Sequence, residues 1–477
     1  MIPEIKFGTD GWRALIARDF TFENTRVVAQ GIAGYIKSQN LLKKGVVIGY
    51  DNRFLSQEFA RECAQVLVGN GIKVFIADKA MPTPVTAFAV RVTNAGGAIM
   101  ITASHNPPEY NGIKFIPEYA GPAMPDITSY IENEVNRVLE GGKVYQINLE
   151  EARPLGLVTD INIEKDYINQ LLAMVNQDTI RGSNLKIVVN PMFGAGIGYL
   201  DKILTGLGCE VKTINNYRDV LFGGLLPEPT RHNLSDLQWA VGNHKADVGL
   251  ALDGDADRFG IVNHKGEFIT PNQLMCLLFD HLLKTRNFRG AVCRSVATTR
   301  MLDRVAQKNG LGVIETPVGY KYIGQCMREK GCILGGEESG GLSIFGHIPE
   351  KDGILAGLLT VEMIACSGKN LAEISETFAG EYGWMVSERF DITIQRQDKT
   401  MVLDRISKYS PKTITGIRVV AHDNQEGNKI ELEDGSWVLI RCSGTEPVCR
   451  IYVETTDKKH LEEMQKEVIQ NLVLSEP

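Results

Sequence analysis

The sequence predicts an α/β protein assembled from related units, closed by a smaller α+β domain. Three observations predict it. The first is a weak repeat. Three segments read alike: VVIGYDNRFLSQEFARECAQVLVGNGIKVFIA from Val46, KIVVNPMFGAGIGYLDKILTGLGCEV from Lys186, and AVCRSVATTRMLDRVAQKNGLGVIE from Ala291. The second is the C-terminal stretch, where short alternating strands replace the repeat. The third is length. At about 150 residues per domain, 477 residues suggest three to four domains.

Each repeat opens on a short β-branched apolar run, which reads as a buried strand. A loop and an amphipathic helical stretch follow. Glycine then ends the helix, at Gly71, Gly208 and Gly312, and a second apolar run begins. A β–loop–α–β unit used three times fits a chain of related domains better than one large barrel. Between the first and second units, a helical stretch over Asp126–Glu140 stops at Gly141-Gly142, and a connector leads to another near Ile163. A second boundary is expected just after the DGDADR run, and a third near Gly380–Gly383. Beyond it come strand-like DITI and IRVVAH, a hairpin signal at Glu433-Asp434-Gly435, then VLIRC and CRIYVE, with a charged amphipathic helix over Lys458–Leu472.

Composition excludes several classes. A net charge of -7 argues against nucleic acid and acidic membranes as partners, since the surfaces that bind them are basic. It leaves room for an anionic substrate, which a few local Arg and Lys residues can hold. No apolar run reaches the roughly 18 residues that a membrane span needs. The start, MIPEIKFGTDGWR, has neither a basic region nor an apolar core, so no signal peptide is expected. Nine scattered cysteines without a CxxC pair favour reduced thiols in a cytoplasmic protein over a disulfide framework.

Four polar constellations carry the chemistry. Asp253-Gly-Asp255-Ala-Asp257-Arg258 follows the apolar run VGLAL, at a strand end. Alternate side chains of an extended segment point one way, so three carboxylates can converge on a hard cation such as Mg²⁺ or Ca²⁺. An EF-hand is rejected: its sixth position must be Gly and is Arg258, and its twelfth should be Glu and is His264. The second, GGAIMITASHNPPEYNGIKFI, puts Ser104 at the start of a loop after a strand. Ser104 suits a nucleophile outside any GxSxG elbow, or a loop serine bonding its own backbone. His105 reads as a loop-fixing side chain and not a base. Lys114 is either a solvated strand charge or a phosphate contact.

The third is GGEESGG over Gly335–Gly341, followed by His347-Ile-Pro-Glu-Lys351-Asp352-Gly353. Glu337 and Ser339 could bond vicinal sugar hydroxyls, or the loop could be merely acidic and exposed. The fourth is Arg441-Cys-Ser443-Gly444-Thr445-Glu-Pro with Arg450 beyond it. Its hydroxyls, close-approach glycine and two guanidinium groups suit a phosphate monoester. Together the four supply a nucleophile, a cation site, a hydroxyl reader and a second phosphate clamp. A hydrolase needs no second clamp, and a kinase would need a GxxxxGK[ST] loop, which is absent from the sequence.

At FGTDGWR, TASHNP, DGDADR, GEESGG and RCSGTEP, in that order and across nearly the whole chain, the sequence resembles the α-D-phosphohexomutase superfamily, in particular its bacterial phosphoglucomutase/phosphomannomutase branch. The resemblance implies four domains around a central cleft, which we expect at 1–150, 151–257, 258–380 and 381–477. It implies a phosphorylated Ser104, with Mg²⁺ held by that phosphate and by Asp253, Asp255 and Asp257. Arg13, Lys114 and Arg258 match residues around the reacting phosphate. Glu337 and Ser339 match sugar contacts, and Lys321 in TPVGYK a further substrate loop. Arg441, Ser443, Gly444, Thr445 and Arg450 match the loop that holds the phosphate not being transferred. The implied activity interconverts hexose 1-phosphate and hexose 6-phosphate, glucose foremost, through hexose 1,6-bisphosphate, which also serves as activator.

Val318 stands where glucose-selective relatives carry Thr, so a preference for mannose or a pentose is the alternative. The second Glu of GEESGG differs from the Gln of phosphoglucosamine mutases. A metal-dependent sugar-phosphate phosphatase and a non-catalytic sensor are the other classes. By motif position, Lys351 or His347 is the proton-transfer group, and Lys351 would need a pKa lowered by burial beside other cations.

Overall fold

The computed structural model describes residues 5–8, 10–393, 399–442 and 448–473. Its strands form four sheets. The first sheet takes β1 (Trp12–Leu15), β2 (Val46–Tyr50), β3 (Val74–Ala77), β4 (Gly97–Ile101), β5 (Tyr110–Pro117) and β6 (Val158–Ile161), in the order β1-β5-β4-β2-β3-β6. The second takes β7 (Lys186–Asn190), β8 (Glu210–Thr213), β9 (Val248–Leu252), β10 (Phe259–Asn263) and β11 (Phe268–Ile269), ordered β11-β10-β9-β7-β8.

The third has β12 (Val292–Ser295), β13 (Val313–Thr316), β14 (Leu334–Glu337) and β15 (Gly341–Ile344), ordered β13-β12-β14-β15. The fourth has β16 (Val386–Thr393), β17 (Thr413–Ile414), β18 (Ile417–Asp423), β19 (Asn428–Leu432), β20 (Trp437–Cys442) and β21 (Val448–Thr455), ordered β16-β21-β20-β19-β18-β17.

The repeat is real at the level of topology. β2 pairs parallel with β3, β7 with β8 and β12 with β13. The intervening helices are Ser56–Gly69, Leu200–Gly206 and Met301–Lys308. In each unit the second strand returns parallel because a helix carries the chain back across the sheet. The central strands β2, β4 and β9 are buried along their whole length, as their unbroken apolar runs require. One hydrophobic core runs through the first three domains, and the fourth has its own.

Two expected boundaries move. β6 pairs parallel with β3, so the first sheet reaches Ile161 and not only residue 150. The second sheet continues past 257 to Ile269, because Phe259–Asn263 turns back antiparallel onto Val248–Leu252 and pairs in turn with Phe268–Ile269. The Asp253–Asp257 loop is therefore the turn of a hairpin inside the second domain and not its last element.

The cysteine expectation also needs correction. Seven cysteines are free, but Cys442 and Cys449 are joined. They stand directly opposite each other on β20 and β21, with Cα atoms 4.0 Å apart. Spacing alone does not reveal that register. Among the described residues no single helix is long and apolar enough to cross a membrane.

Candidate active site

Ser104 and the three aspartates meet where the ends of β4 and β9 face each other across the first two domains. The loop after β4 holds Ser104 in left-handed backbone geometry, φ 52°, which is uncommon for a residue with a side chain. Hydrogen bonds fix it there. The Ser104 amide donates to Thr102 Oγ1 at 2.8 Å, and Thr102 Oγ1 donates to Asp51 Oδ2 at 2.7 Å. Arg53, with no exposed side-chain surface, donates to the carbonyls of Ser104, Asn106, Pro107 and Tyr110 at 2.6–3.1 Å. Its Nε lies 3.3 Å from Asp51. The Ser104 hydroxyl donates to Asp253 Oδ2 at 2.9 Å.

The aspartate loop can approach this closely because residue 254 is glycine. A Cβ there would lie 2.5 Å from the Ser104 carbonyl oxygen, a contact that real side chains do not make. Asp253, Asp255 and Asp257 are buried, and one oxygen from each lies within 4.8 Å of the others. Asp255 Oδ1 and Asp257 Oδ1 accept no hydrogen bond among the described residues. Burial, then the charges of Asp255 and Asp257, push Asp253 well above the usual carboxylate range. Buried oxygens without donors and carboxylates that repel one another fit a hard divalent cation, and an all-oxygen donor set suits Mg²⁺.

Cations surround the cluster. Lys114, on β5, has its Nζ 2.9 Å from Asp255, 2.8 Å from Asp257 and 2.9 Å from Asp10. Lys351 reaches the same point from the third domain, 3.0 Å from Asp10, 3.2 Å from Asp257 and 3.6 Å from Glu350. Burial would push Asp10 up, but Lys114, Lys351 and Arg13 hold it well below its ordinary value. Arg13 Nη1 donates to Asn106 Oδ1 at 2.8 Å, on the Ser104 loop. Arg258 gives its amide to Asp253 at 3.0 Å and pairs with Glu228 at 3.3 Å. His105 Nδ1 lies 3.3 Å from the Ser104 hydroxyl; burial, Arg258 and Arg13 push its pKa well below the ordinary imidazole value.

The two proton-transfer residues expected from the sequence separate. Lys351 reaches the aspartate cluster. His347 does not: its side chain is fully buried, bonded to Asp352 at 2.8 Å, and Asp352 also accepts from Tyr167 at 2.7 Å. The expected lowering of the Lys351 pKa is also reversed. Burial works in that direction, but Asp10, Asp257 and Glu350 outweigh it and hold the ammonium well above its ordinary value. Its neighbours are acids as well as cations, and the sequence does not reveal that Asp10 comes from the far end of the chain. Gly341 makes room for the lysine stem, because a Cβ there would lie 2.4 Å from Lys351 Cδ.

Glu337 ends β14 and pairs with Gly341 across a tight turn that carries Ser339. Burial raises the Glu337 carboxyl, and its Oε2 is buried without a hydrogen-bond donor among the described residues. Lys321 opens the helix Tyr320–Lys330, half-buried. Val318 packs beside Val296, Ala297, Trp437, Leu439 and Tyr452, where the third and fourth domains touch.

In the fourth domain, Arg441 and Arg450 are directly opposed on β20 and β21. With period-two alternation they share a face with Trp437, Leu439, Tyr452 and Glu454, the face turned to the third domain. The other face carries Val438, Ile440, Ile451 and Val453 into the domain's own core. Ser443, Gly444 and Thr445 lie outside the described residues. Residues of the site not singled out from the sequence include Asp10, Asp51, Arg53, Thr83, which donates to Asp255 at 2.6 Å, and Glu228. Asp10 stood inside the quoted FGTDGWR motif, which does not show its partners, and Arg53 lies in the DNR run after β2, which no motif marks.

Known proteins share this order of domains. The family description "Phosphoglucomutase/phosphomannomutase, alpha/beta/alpha domain I" matches residues 4–141, domain II matches 165–266, domain III matches 270–382, and the C-terminal domain matches 403–471. A phosphoglucomutase/phosphomannomutase of Thermococcus kodakarensis is 30% identical over 459 residues, 96% of each chain. A protein of Pyrococcus horikoshii named as a probable phosphoglucosamine mutase is 32% identical, over 98% of each chain. A solved structure from Thermus thermophilus, described as a putative phosphomannomutase, superposes with a TM-score of 0.86 at 33% identity, covering 98% of this chain and 99% of that one. The order of the four domains, the clustered aspartates beside Ser104 and these likenesses agree: the chain belongs to the phosphoglucomutase/phosphomannomutase family and is a phosphohexomutase enzyme.

Proposed function

We propose that the enzyme interconverts hexose 1-phosphate and hexose 6-phosphate, with glucose as its main sugar, through a phosphorylated Ser104 and a hexose 1,6-bisphosphate. The observation that carries this reading is the 2.9 Å contact between the Ser104 hydroxyl and Asp253, inside a buried cluster that also holds two lysines. Asp253, Asp255 and Asp257 would hold Mg²⁺. The ion, when bound, offsets the phosphate charge and makes the phosphorus more electrophilic.

The chain's own residues do the rest. A sugar hydroxyl attacks the phosphorus on Ser104; the P–O bond to Ser104 breaks as the bond to the sugar forms. Arg258, Lys114 and Arg13 offset charge on the transferring group. In the return step the bisphosphate, turned end for end, gives its other phosphoryl group to Ser104. In the first step a neutral Lys351 takes the proton of the attacking sugar hydroxyl, while the Ser104 oxygen leaves beside the cations that offset its charge. In the return step Lys351 gives that proton to the departing sugar oxygen, its acidic neighbours favouring the ammonium in between. Glu337 and Ser339 read the hydroxyls, Lys321 contacts the substrate, and the strands that carry Arg441 and Arg450 hold the idle phosphate, with Ser443, Gly444 and Thr445 as the loop between. Hexose 1,6-bisphosphate restores Ser104 phosphate if it is lost. Seven of the nine cysteines are free, which supports a reducing, cytoplasmic setting, and the single bridge joins two residues that strand register places side by side.

A glucosamine substrate is the second reading, favoured by the name of the Pyrococcus horikoshii relative. Coupled assays with glucose, mannose, glucosamine and ribose 1-phosphates decide between them. The expected result is the highest kcat/KM on glucose 1-phosphate with mannose next. A glucosamine 1-phosphate value at least tenfold above glucose would overturn the sugar assignment, and release of inorganic phosphate in place of isomerisation would overturn the mutase.

A further inference from the structure

Between Glu337 and Ser339 stands Glu338, which the chemistry above does not use. Its Oε1 lies 3.5 Å from Nη1 of Arg389, on β16 of the fourth domain. Arg389 Nε lies 3.1 Å from Asp391 Oδ1, and Asp391 Oδ2 lies 3.9 Å from Arg450 Nε. The sheet register makes this row possible: Arg389 and Asp391 are two apart on β16, so they share a face, and Asp391 stands directly opposite Arg450. Alternating charges thus run unbroken from the sugar-reading turn to the phosphate-clamp strand and cross the domain border once.

We propose that Glu338 and Arg389 are positioning residues that set the distance between the hydroxyl reader and the distal phosphate clamp. The proposal rests on the mutase reading above. Other contacts join the two domains: Lys429 to Glu315 at 3.1 Å, the Arg300 amide to Glu454 at 2.9 Å, Asn272 to Ser387 at 2.7 Å, and the apolar patch around Trp437. They hold the domains together away from the turn that carries Glu337 and Ser339. The Glu338–Arg389 pair is anchored in that turn itself. Glu338 is the largest cause of the raised Arg389 pKa, as a close partner should be. A ligand that bridges the reader and the clamp needs both ends at a fixed separation, and a pair that fixes the separation lowers the ordering cost of binding. A ligand that occupies the clamp alone gains nothing from it.

That difference is the test. Dissociation constants for glucose 1-phosphate and for inorganic phosphate are measured by calorimetry on the full chain with Mg²⁺, for wild type, E338Q, R389K and E338Q/R389K. R389K keeps the charge and loses the planar fork that serves Glu338 and Asp391 together. E338Q should weaken glucose 1-phosphate about fivefold, the upper worth of a partly exposed ion pair, and leave inorganic phosphate within about twofold. The double variant should be no weaker than the weaker single, because both substitutions break one interaction. In turnover, E338Q should raise KM with kcat little changed and release more bisphosphate. Equal weakening of both ligands, or additive effects in the double variant, would show a structural role and overturn the proposal. Wild-type binding of both ligands without isomerisation would remove the mutase reading and leave the positioning pair standing. Isomerisation by wild type together with unchanged glucose 1-phosphate affinity in E338Q would do the reverse.

Discussion

Lys351 and His347 lie four residues apart and answer to different forces. The lysine crosses a domain border to share the Asp10 carboxylate with Lys114, and the histidine closes a buried Tyr167–Asp352–His347 network. Lys351→Met should therefore cut kcat by about 10²–10⁴-fold, the worth of a general acid, with KM moving only a few-fold. His347→Ala should instead lower thermal stability by about 2 kcal/mol and leave kcat within tenfold. Steady-state kinetics and calorimetry on the two variants check this, and the opposite pattern would exchange the roles. At this scale the sequence was legible where chemistry is written in short motifs: Ser104, the aspartates and Lys114 come together as their motifs suggest. It was not legible for Arg53 or Asp10. A buried arginine whose partners are backbone carbonyls has no side-chain motif to betray it, and Asp10 meets Lys351 from 341 residues away.

The β9–β10 hairpin and the loop after β4 are the elements that make the site. Each presents its tip to the other, and the approach is limited by backbone. Gly254 sits at the contact with the Ser104 carbonyl, so Gly254→Ala forces two loops apart with no flexible side chain to yield. Overpacking of this kind costs about 1–3 kcal/mol. We expect lower stability and a larger loss of activity, with the Mg²⁺ concentration for half-maximal rate raised, because Asp253 and Asp255 flank the displaced residue. A Gly254→Ala enzyme with normal Mg²⁺ dependence would show that the close approach is not what sets the metal site. The parallel repeats were readable as elements, since a fully buried strand followed by an amphipathic helix leaves a clear pattern. The domain limits were less so. Phe259–Ile269 looks like the start of a new unit until its pairing with Val248–Leu252 is seen, and pairing partners are a long-range property. The same holds for Cys442 and Cys449, where register and not spacing decides the contact.

At the scale of the molecule, three domains share one core and the fourth keeps its own. A chain ending at Gly383 should therefore retain the Ser104–Asp253 cluster and accept phosphate on Ser104 from glucose 1,6-bisphosphate, yet fail to isomerise, because Arg441 and Arg450 are gone. Isomerisation at more than about a tenth of the full-length rate would remove the clamp role of the fourth domain. The more direct test concerns the carrier itself. The intact enzyme is mixed with Mg²⁺ and glucose 1,6-bisphosphate carrying labelled phosphate, digested, and mapped by mass spectrometry before and after a chase with unlabelled glucose 1-phosphate. The account predicts label on the peptide containing Ser104 alone, its loss to hexose bisphosphate and hexose 6-phosphate in the chase, and no label or turnover in Ser104→Ala. Label on another residue, or isomerisation by Ser104→Ala, would contradict it.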